Sequence, residues 1–568
     1  MTNDIKNYFV NPETMDMSQF VKEFENLDSK VQKHINLDSA RVDSNIAEPY
    51  AKLLERENLS QNGENIEDIF ERLAEYSQGL IRWTHPGALI NVNPPASIPS
   101  VVASSYFSLY NPNGAQDMSS GYLMTTELAV VKMICRLAGI DEKKAGGIFT
   151  FGGKSTNLHA IKHGLQRINP MYGKEGIKDE IMTFSSKQGH PCHAEVCNWL
   201  GIGNKNCTRI PTDNLGVIDV DALRKGIESA IENGKKVACI TVNGGTTIQM
   251  TVDPIKQIAE MRDEIVTKYK LDYKPRIHVD SVIGWAWLFF RDYDFKNNPL
   301  KIGKIALEKI EKQCKKIQEI KYADSFGVDF HKTGFCSYLA SLYITLDRDE
   351  LFQQNGYKGI PYEELEYGNY SPFQYTLELS RSLSGPIAAY VNLKLFGIEG
   401  YQRIIGGLMD TSEYLKAELD KNPRFEVINE NDSDGFVTLL VVKENENSPS
   451  FFEISNLAPE DIEKYGRYIH KFYLYLLEKQ KKKECWFTLD YSSGYHILAN
   501  GKKIGVLKAY PMSPYFDKPS VDRLVKDLSQ HLKEFDKVKD IFEVKDLFII
   551  RLMLQMESAF VSQQKILL

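Results

Sequence analysis

Two short runs carry residue types suited to covalent amine chemistry. Asp324-Ser-Phe-Gly-Val-Asp-Phe-His-Lys332 is a strand-like stretch ending in a His-Lys pair, and Arg276-Ile-His-Val-Asp280 is another ending in an acid. A lysine nucleophilic toward an aldehyde, with an acid that keeps a pyridine nitrogen protonated, is what a pyridoxal phosphate (PLP) site requires. Either residue alone is weak evidence. Phe151-Gly-Gly-Lys-Ser-Thr-Asn157 is more specific. Its glycines let backbone N–H groups approach an anion at a helix N-terminus. Ser155 and Thr156 suit hydroxyl donation or helix capping, but capping alone does not explain the paired glycines. Gly244-Gly-Thr-Thr247 is a second glycine-rich turn. His190 and His193 stand three apart with no third ligand at a recognisable spacing, so no metal site is expected. A histidine stacked on a flat cofactor ring is the sharper reading.

The elements that must position these residues alternate regularly. Strand patterns at 147–151, 180–184, 208–210, 236–242, 276–280 and 324–329 alternate with helical patterns, among them 157–168, 220–233 and 255–269. This predicts an α/β fold with a mostly parallel sheet covered on both faces, whose ligands sit at the carboxyl ends of the strands. Residues 338–345 read as a further strand, and residues 350–375 as a loop rich in Tyr, Gly and Pro. The expected organisation is a helical and loop-rich segment over 1–127, a large domain over 128–385 and a small α+β domain over 386–568. Within the first segment, the turn-rich stretch 82–127 includes His85 and Asn111 and is either functional or a surface connector.

Composition excludes some classes. The 568-residue chain is 42% hydrophobic with a net charge of −7, so it offers no basic field for nucleic acid. Its eight cysteines are scattered without a CxxC pair, which argues against a zinc or disulfide framework. The start lacks an apolar signal-like region and no apolar run approaches about 18 residues, so a cytoplasmic protein without a membrane span is expected.

Taken in order, the Gly-Gly loop, the histidine, Gly-Thr-Thr, His-Val-Asp and Asp-x-His-Lys resemble the group II PLP-dependent amino-acid decarboxylases, which include glutamate, aromatic amino-acid and diaminobutyrate decarboxylases. Leu379-Ser-Arg-Ser-Leu-Ser-Gly-Pro386 and Leu395-Phe-Gly-Ile-Glu-Gly-Tyr401 extend the resemblance. It implies PLP fold type I, with a seven-stranded sheet in the large domain, and a homodimer. It also implies that Lys332 is the Schiff-base lysine and that Asp280 pairs with the ring nitrogen. Because the family's histidine stands ten residues before a Leu-Gly-x-Gly turn, here Leu200-Gly-Ile-Gly203, the stacking role falls to His190. Gly153, Lys154, Ser155, Thr246, Asp329 and His331 complete the implied cofactor contacts. His85, Asn111, Tyr357, Tyr362 and Arg381 are the substrate-side candidates, one loop tyrosine being the expected proton donor.

The chain departs from the family at Ser281-Val282, where Val282 is bulkier than usual, and at Lys154, which brings an added charge. Trp285 and Trp287 either narrow the pocket or belong to the core. The expected activity is decarboxylation of an aromatic or uncharged L-amino acid. The rivals are a PLP-dependent carbon–carbon lyase, a decarboxylating aldehyde synthase on the same fold, and a catalytically silent binding scaffold.

Overall fold

The computed structural model describes residues 5–43, 50–213, 215–353, 359–429, 433–497, 503–540 and 542. A two-residue strand, β1 (Ala88–Leu89), precedes the main sheet, which contains β2 (Gly146–Thr150), β3 (Ile181–Ser186), β4 (Cys207–Ile210), β5 (Lys236–Asn243), β6 (Arg276–Asp280), β7 (Ser325–Asp329) and β8 (Ser341–Thr345). Their order is β2-β8-β7-β6-β5-β3-β4. Only β8 runs against its neighbours. The strands β2, β6, β7 and β8 are buried along their whole length, as expected of a sheet covered on both faces.

Register brings the chemistry to one edge. Thr150 and Asp329 both pair with Ser341, and Asn243 pairs with Asp280. The crossover helix Gly153–Ile168 lies directly on β5, because a Cβ at Gly164 would stand 2.2 Å from the Ala238 carbonyl oxygen.

A second, five-stranded sheet combines β1 with β9 (Phe425–Val427), β10 (Thr438–Val442), β11 (Thr488–Ile497) and β12 (Lys503–Ala509) in the order β1-β11-β12-β10-β9. Residues expected to be irregular, at 88–89, thus join the C-terminal sheet, and Ile98–Ser108 in the same stretch is helical. Ser97 accepts the Ser100 N–H at that helix start, and Pro99 occupies its first turn, where no donor is needed. The long helix Ser384–Leu419 breaks at Gly397, whose φ of +57° suits glycine. Trp285 and Trp287 are core residues. Trp285 packs on Phe330 and Phe289, and Trp287 on Phe436.

Behind the site edge lies a buried polar layer. His163 Nδ1 meets the Tyr343 hydroxyl at 2.6 Å, and the rings of His159 and His278 lie 5.6 and 5.9 Å from Tyr343. Arg276 reaches Glu350 at 2.5 Å and Tyr343 at 2.9 Å. Burial holds His159 and His163 below the usual histidine range and pushes His278 down to about 3; His85, elsewhere, is pushed to about 4. These groups bind protons less readily when folded than when unfolded. Their contribution is complete above the unfolded value near 6.5 and is lost as pH falls toward 4. Asp253, raised by burial to about 6, opposes this as a single group. The thermal denaturation midpoint is expected to fall steadily between pH 7 and pH 5, and a midpoint that stays level over that range contradicts the buried neutral assignment.

Candidate functional site

Asp280 ends β6 with one carboxylate oxygen occupied and one free. Its Oδ2 accepts His193 Nε2 at 2.9 Å and Asn157 Nδ2 at 3.2 Å, while the buried Oδ1 has no partner. Burial alone would raise its pKa. The hydrogen bond from His193 and the nearby Lys332 charge outweigh burial and hold the carboxyl below the usual range. A buried anion with one open oxygen suits a cationic N–H ligand.

Lys332 follows β7, and its Nζ stands 2.9 Å from Asp329 Oδ2. Asp329 is itself fixed through Oδ1, which accepts the Ser341 hydroxyl at 2.5 Å. Burial would lower the lysine pKa, but Asp329 and Asp280 raise it overall. His331 Nδ1 accepts the Ala340 N–H at 3.2 Å, and its ring lies 4.2 Å from that of Tyr338. The Tyr338 hydroxyl donates to Asn93.

The Gly-Gly turn fits an anion. Gly152 has φ +116°, and the Gly153–Ile168 helix starts without a side-chain cap; the Ser155 N–H turns back to the Gly152 carbonyl at 2.9 Å, with the Gly153 and Lys154 N–H groups ahead of it at the helix start. A Cβ at Gly153 would stand 2.8 Å from Asp329 Oδ2 and 3.2 Å from Val282, so the loop rests directly on the lysine's partner. Val282 fills the space between Gly153 and Gly327. The Ser155 hydroxyl donates to Gly152 O at 2.6 Å and accepts from Thr150 at 2.8 Å, which braces the turn. Lys154 departs from expectation: its ammonium pairs with Glu195 at the surface, since an exposed carboxylate is within reach of its long side chain. In the turn after β5, Gly245 (φ +124°) presses on Gly284, and the Thr246 hydroxyl accepts the Thr251 N–H at 3.1 Å.

His190 sits on the turn after β3 with an accessible ring, and its Nδ1 accepts the Cys192 N–H at 3.1 Å. The surrounding protein, helped by the Lys332 charge, pushes its pKa down to about 4, so the ring is neutral at pH 7. Arg209 holds this turn through the carbonyls of Lys187, Gly189 and His190. Potential metal-ligating atoms of Cys192, His193 and Asp280 lie within 4.8 Å of one another. Burial keeps the thiol protonated and Asp280 already accepts from His193, so the group is hydrogen-bonded as it stands.

The substrate-side candidates separate. Arg381 is committed to structure: its guanidinium pairs with buried Glu127 and donates to the Gly114 and Phe149 carbonyls at 3.1 and 2.9 Å. The buried Tyr370 hydroxyl reaches Glu127 at 3.2 Å, and Tyr362 lies under the Arg348 guanidinium. Tyr357 lies outside the described residues. His85 accepts the Gly87 N–H through Nδ1 and borders Trp486. Asn111, in the left-handed region, lines a polar cleft of ≈ 370 Å³ with Asn113, Ser382 and Ser384. Sequence reading overlooked Asn157, Tyr338, Asn93 and Ser341. Asn157 alone had a local signal, one helical turn beyond Gly153.

Comparison with known proteins places this geometry. Residues 49–439 match the model of the pyridoxal-dependent decarboxylase conserved domain. The chain belongs to the pyridoxal-dependent decarboxylase family. A glutamate decarboxylase-like protein of Gibberella zeae is 27% identical over 214 residues, 38% of this chain and 40% of that protein. An aromatic-L-amino-acid decarboxylase of Bacillus atrophaeus is 24% identical, covering 66% of this chain and 71% of its own. The crystal structure of mouse CSAD superposes with a TM-score of 0.73 at 16% identity, covering 91% and 99% of the two chains, and shares the fold.

As a pyridoxal-dependent decarboxylase, the protein is a PLP-dependent carboxy-lyase of fold type I. The residues present fit the cofactor: an unpartnered buried oxygen for a protonated ring nitrogen, an uncapped helix start for a phosphate, and a lysine paired with Asp329, on which the Gly153 turn rests. Arg381, by contrast, holds Glu127. Arg381→Met would strand that buried carboxylate and cost about 3–5 kcal/mol. A lowered denaturation midpoint with little change in KM is expected, whereas a raised KM at unchanged stability would return Arg381 to the substrate.

Proposed function

We propose that this decarboxylase releases CO2 from an aromatic or otherwise uncharged L-amino acid. Lys332 would hold the cofactor covalently and be displaced by the substrate amine, Asp280 Oδ1 would keep the ring nitrogen protonated, and His190 would stack on the ring. Gly153 and Ser155 shape the phosphate cradle, with His331 and Thr246 beside it. When bound, the protonated cofactor ring accepts the electron pair released as CO2 departs. The observation that carries this reading is the single free oxygen of Asp280 at the same sheet edge as Lys332.

The preference for a neutral substrate rests on how the nearby guanidinium groups are used. Arg381 is taken by Glu127, and Arg209 by three backbone carbonyls. A side-chain carboxylate entering this site would meet neither guanidinium unoccupied. In an amino-acid panel, CO2 and the matching amine are expected from aromatic or neutral substrates. Equal turnover of glutamate would refute the preference, and an aldehyde product would assign the aldehyde-synthase reaction instead. Lys332→Ala is expected to lose turnover by at least about 10³-fold together with the visible absorbance of the lysine-bound cofactor. Borohydride labelling of another lysine in the native protein would overturn that role.

We further propose a homodimer. The helix Ile98–Ser108 exposes Ile98, Val102 and Tyr106, and Tyr122, Leu377 and Leu379 are exposed as well. Surfaces of this kind mark association sites. Sedimentation velocity is expected to give a dimer, and a fully active monomer rules it out.

A further inference from the structure

We propose that His193 is a positioning residue for Asp280: its Nε2–H pins Oδ2, leaving Oδ1 as the one acceptor for the cofactor's ring nitrogen and keeping the shared proton on that nitrogen. The inference rests on the reading that Asp280 meets the ring. It gives a role to a histidine that the sequence left without one.

The tautomer follows from the partner. An ionised carboxylate only accepts, so at 2.9 Å His193 must donate from Nε2. Nε2 is thus the donating atom, and the buried Nδ1 has no partner that would call for a proton there. The ring is immobilised by its surroundings. A Cβ on Gly189 would lie 2.9 Å from His193 Cε1 and 3.0 Å from Nδ1, so the turn that carries His190 closes directly over it. His193 also lies in the first turn of the helix Cys192–Trp199, with its own N–H bonded to the His190 carbonyl at 3.2 Å. The two histidines are therefore coupled by geometry. One turn of backbone presents His190 to the site and fixes His193 behind Asp280.

Two consequences follow for Asp280. A carboxylate free to rotate about Cβ–Cγ offers either oxygen at varying angles. With His193 and Asn157 both on Oδ2, rotation is blocked and Oδ1 has a fixed direction. Asn157 alone, at 3.2 Å, is the longer and weaker restraint. A donor on Oδ2 also withdraws charge from the carboxylate. That makes Asp280 a poorer proton acceptor than it would be in an apolar pocket, so the proton between Asp280 and the ring stays on nitrogen. No bond to carbon forms or breaks in this step; the residue sets only where one proton rests.

The test compares His193→Phe, which keeps the ring volume but removes the donor, with His193→Gln, whose amide can restore it. Each is reconstituted with PLP labelled with ¹⁵N at the ring. The ring-nitrogen chemical shift and the cofactor dissociation constant are then measured, with circular dichroism as a folding control. His193→Phe is expected to move the resonance toward the unprotonated value and to weaken cofactor binding by about tenfold, while His193→Gln recovers both. An unchanged shift and affinity in His193→Phe, or a His193→Gln protein as defective as His193→Phe, overturns the proposal. Neutron diffraction from the native holoenzyme tests it without a variant: deuterium is expected on His193 Nε2, and deuterium on Nδ1 with none on Nε2 refutes it. Asp280→Asn separates the two levels of inference. If Asp280→Asn leaves the ring resonance unmoved, the assignment of Asp280 to the ring fails. If Asp280→Asn moves it and His193→Phe does not, only the role of His193 fails.

Discussion

A carboxylate ionised inside the protein is the constraint on which the rest of this site depends. Taking Asp280 out of water opposes its charge, so the fold must supply compensation from several elements at once. It does so with a helix after β2, which brings Asn157, a helix after β3, which brings His193, and the residue three beyond β7, Lys332. None of these helps unless the strands are in register. The order of the parallel sheet is therefore a requirement of the charge as much as of the core. The compensation is also deliberately incomplete on one side, because Oδ1 stays open. A carboxylate satisfied at both oxygens would be more stable and could not hold a ligand.

The glycines serve the same constraint from the opposite direction. Gly153 lies where a Cβ would strike Asp329, and Gly284 where a Cβ would strike the Gly244 carbonyl at 2.0 Å. Backbone thus approaches the lysine's partner and the turn after Asp280 as closely as atoms allow. This thins the walls around a flat ligand. Val282 packs between the two bare backbones of Gly153 and Gly327.

Much of this was legible in the chain. Strand ends at Asp280 and Asp329 could be read because β-branched and aromatic residues, Ile277 and Val279 in one and Phe326 and Val328 in the other, lead directly into them, with Lys332 just beyond the second. The short strand at Ala88–Leu89 could not, since two residues carry no periodicity and its partner is β11, some 400 residues later. Long-range partners escaped for the same reason. Nothing local marks Ser341 as the brace of Asp329, or Asn93 as the acceptor of the Tyr338 hydroxyl. The fate of Arg381 shows the limit most clearly. An arginine in a Ser-Arg-Ser run invites a substrate role, and only the fold reveals that Glu127, 254 residues away, has already claimed it.

That claim bears on how one scaffold supports different substrates. The groups proposed to act on the cofactor lie at strand ends and first helical turns, where packing fixes them. The loops come from elsewhere: the 82–127 stretch, whose Asn93 meets Tyr338 beside His331 and whose Asn111 lines a polar cleft with the segment around Arg381. These pieces meet across hundreds of residues, and they are where charge can be added or withdrawn without disturbing Asp280. With Arg381 neutralised internally by Glu127, the loop layer carries its positive charge as structure. It has none left over from that residue to attract an acidic side chain. A relative that acts on acidic substrates on the same sheet would need a guanidinium released from such a pair, or a new cation placed on these loops. The difference between the two activities would then be written in the partners of loop cations, while the strand ends stay the same.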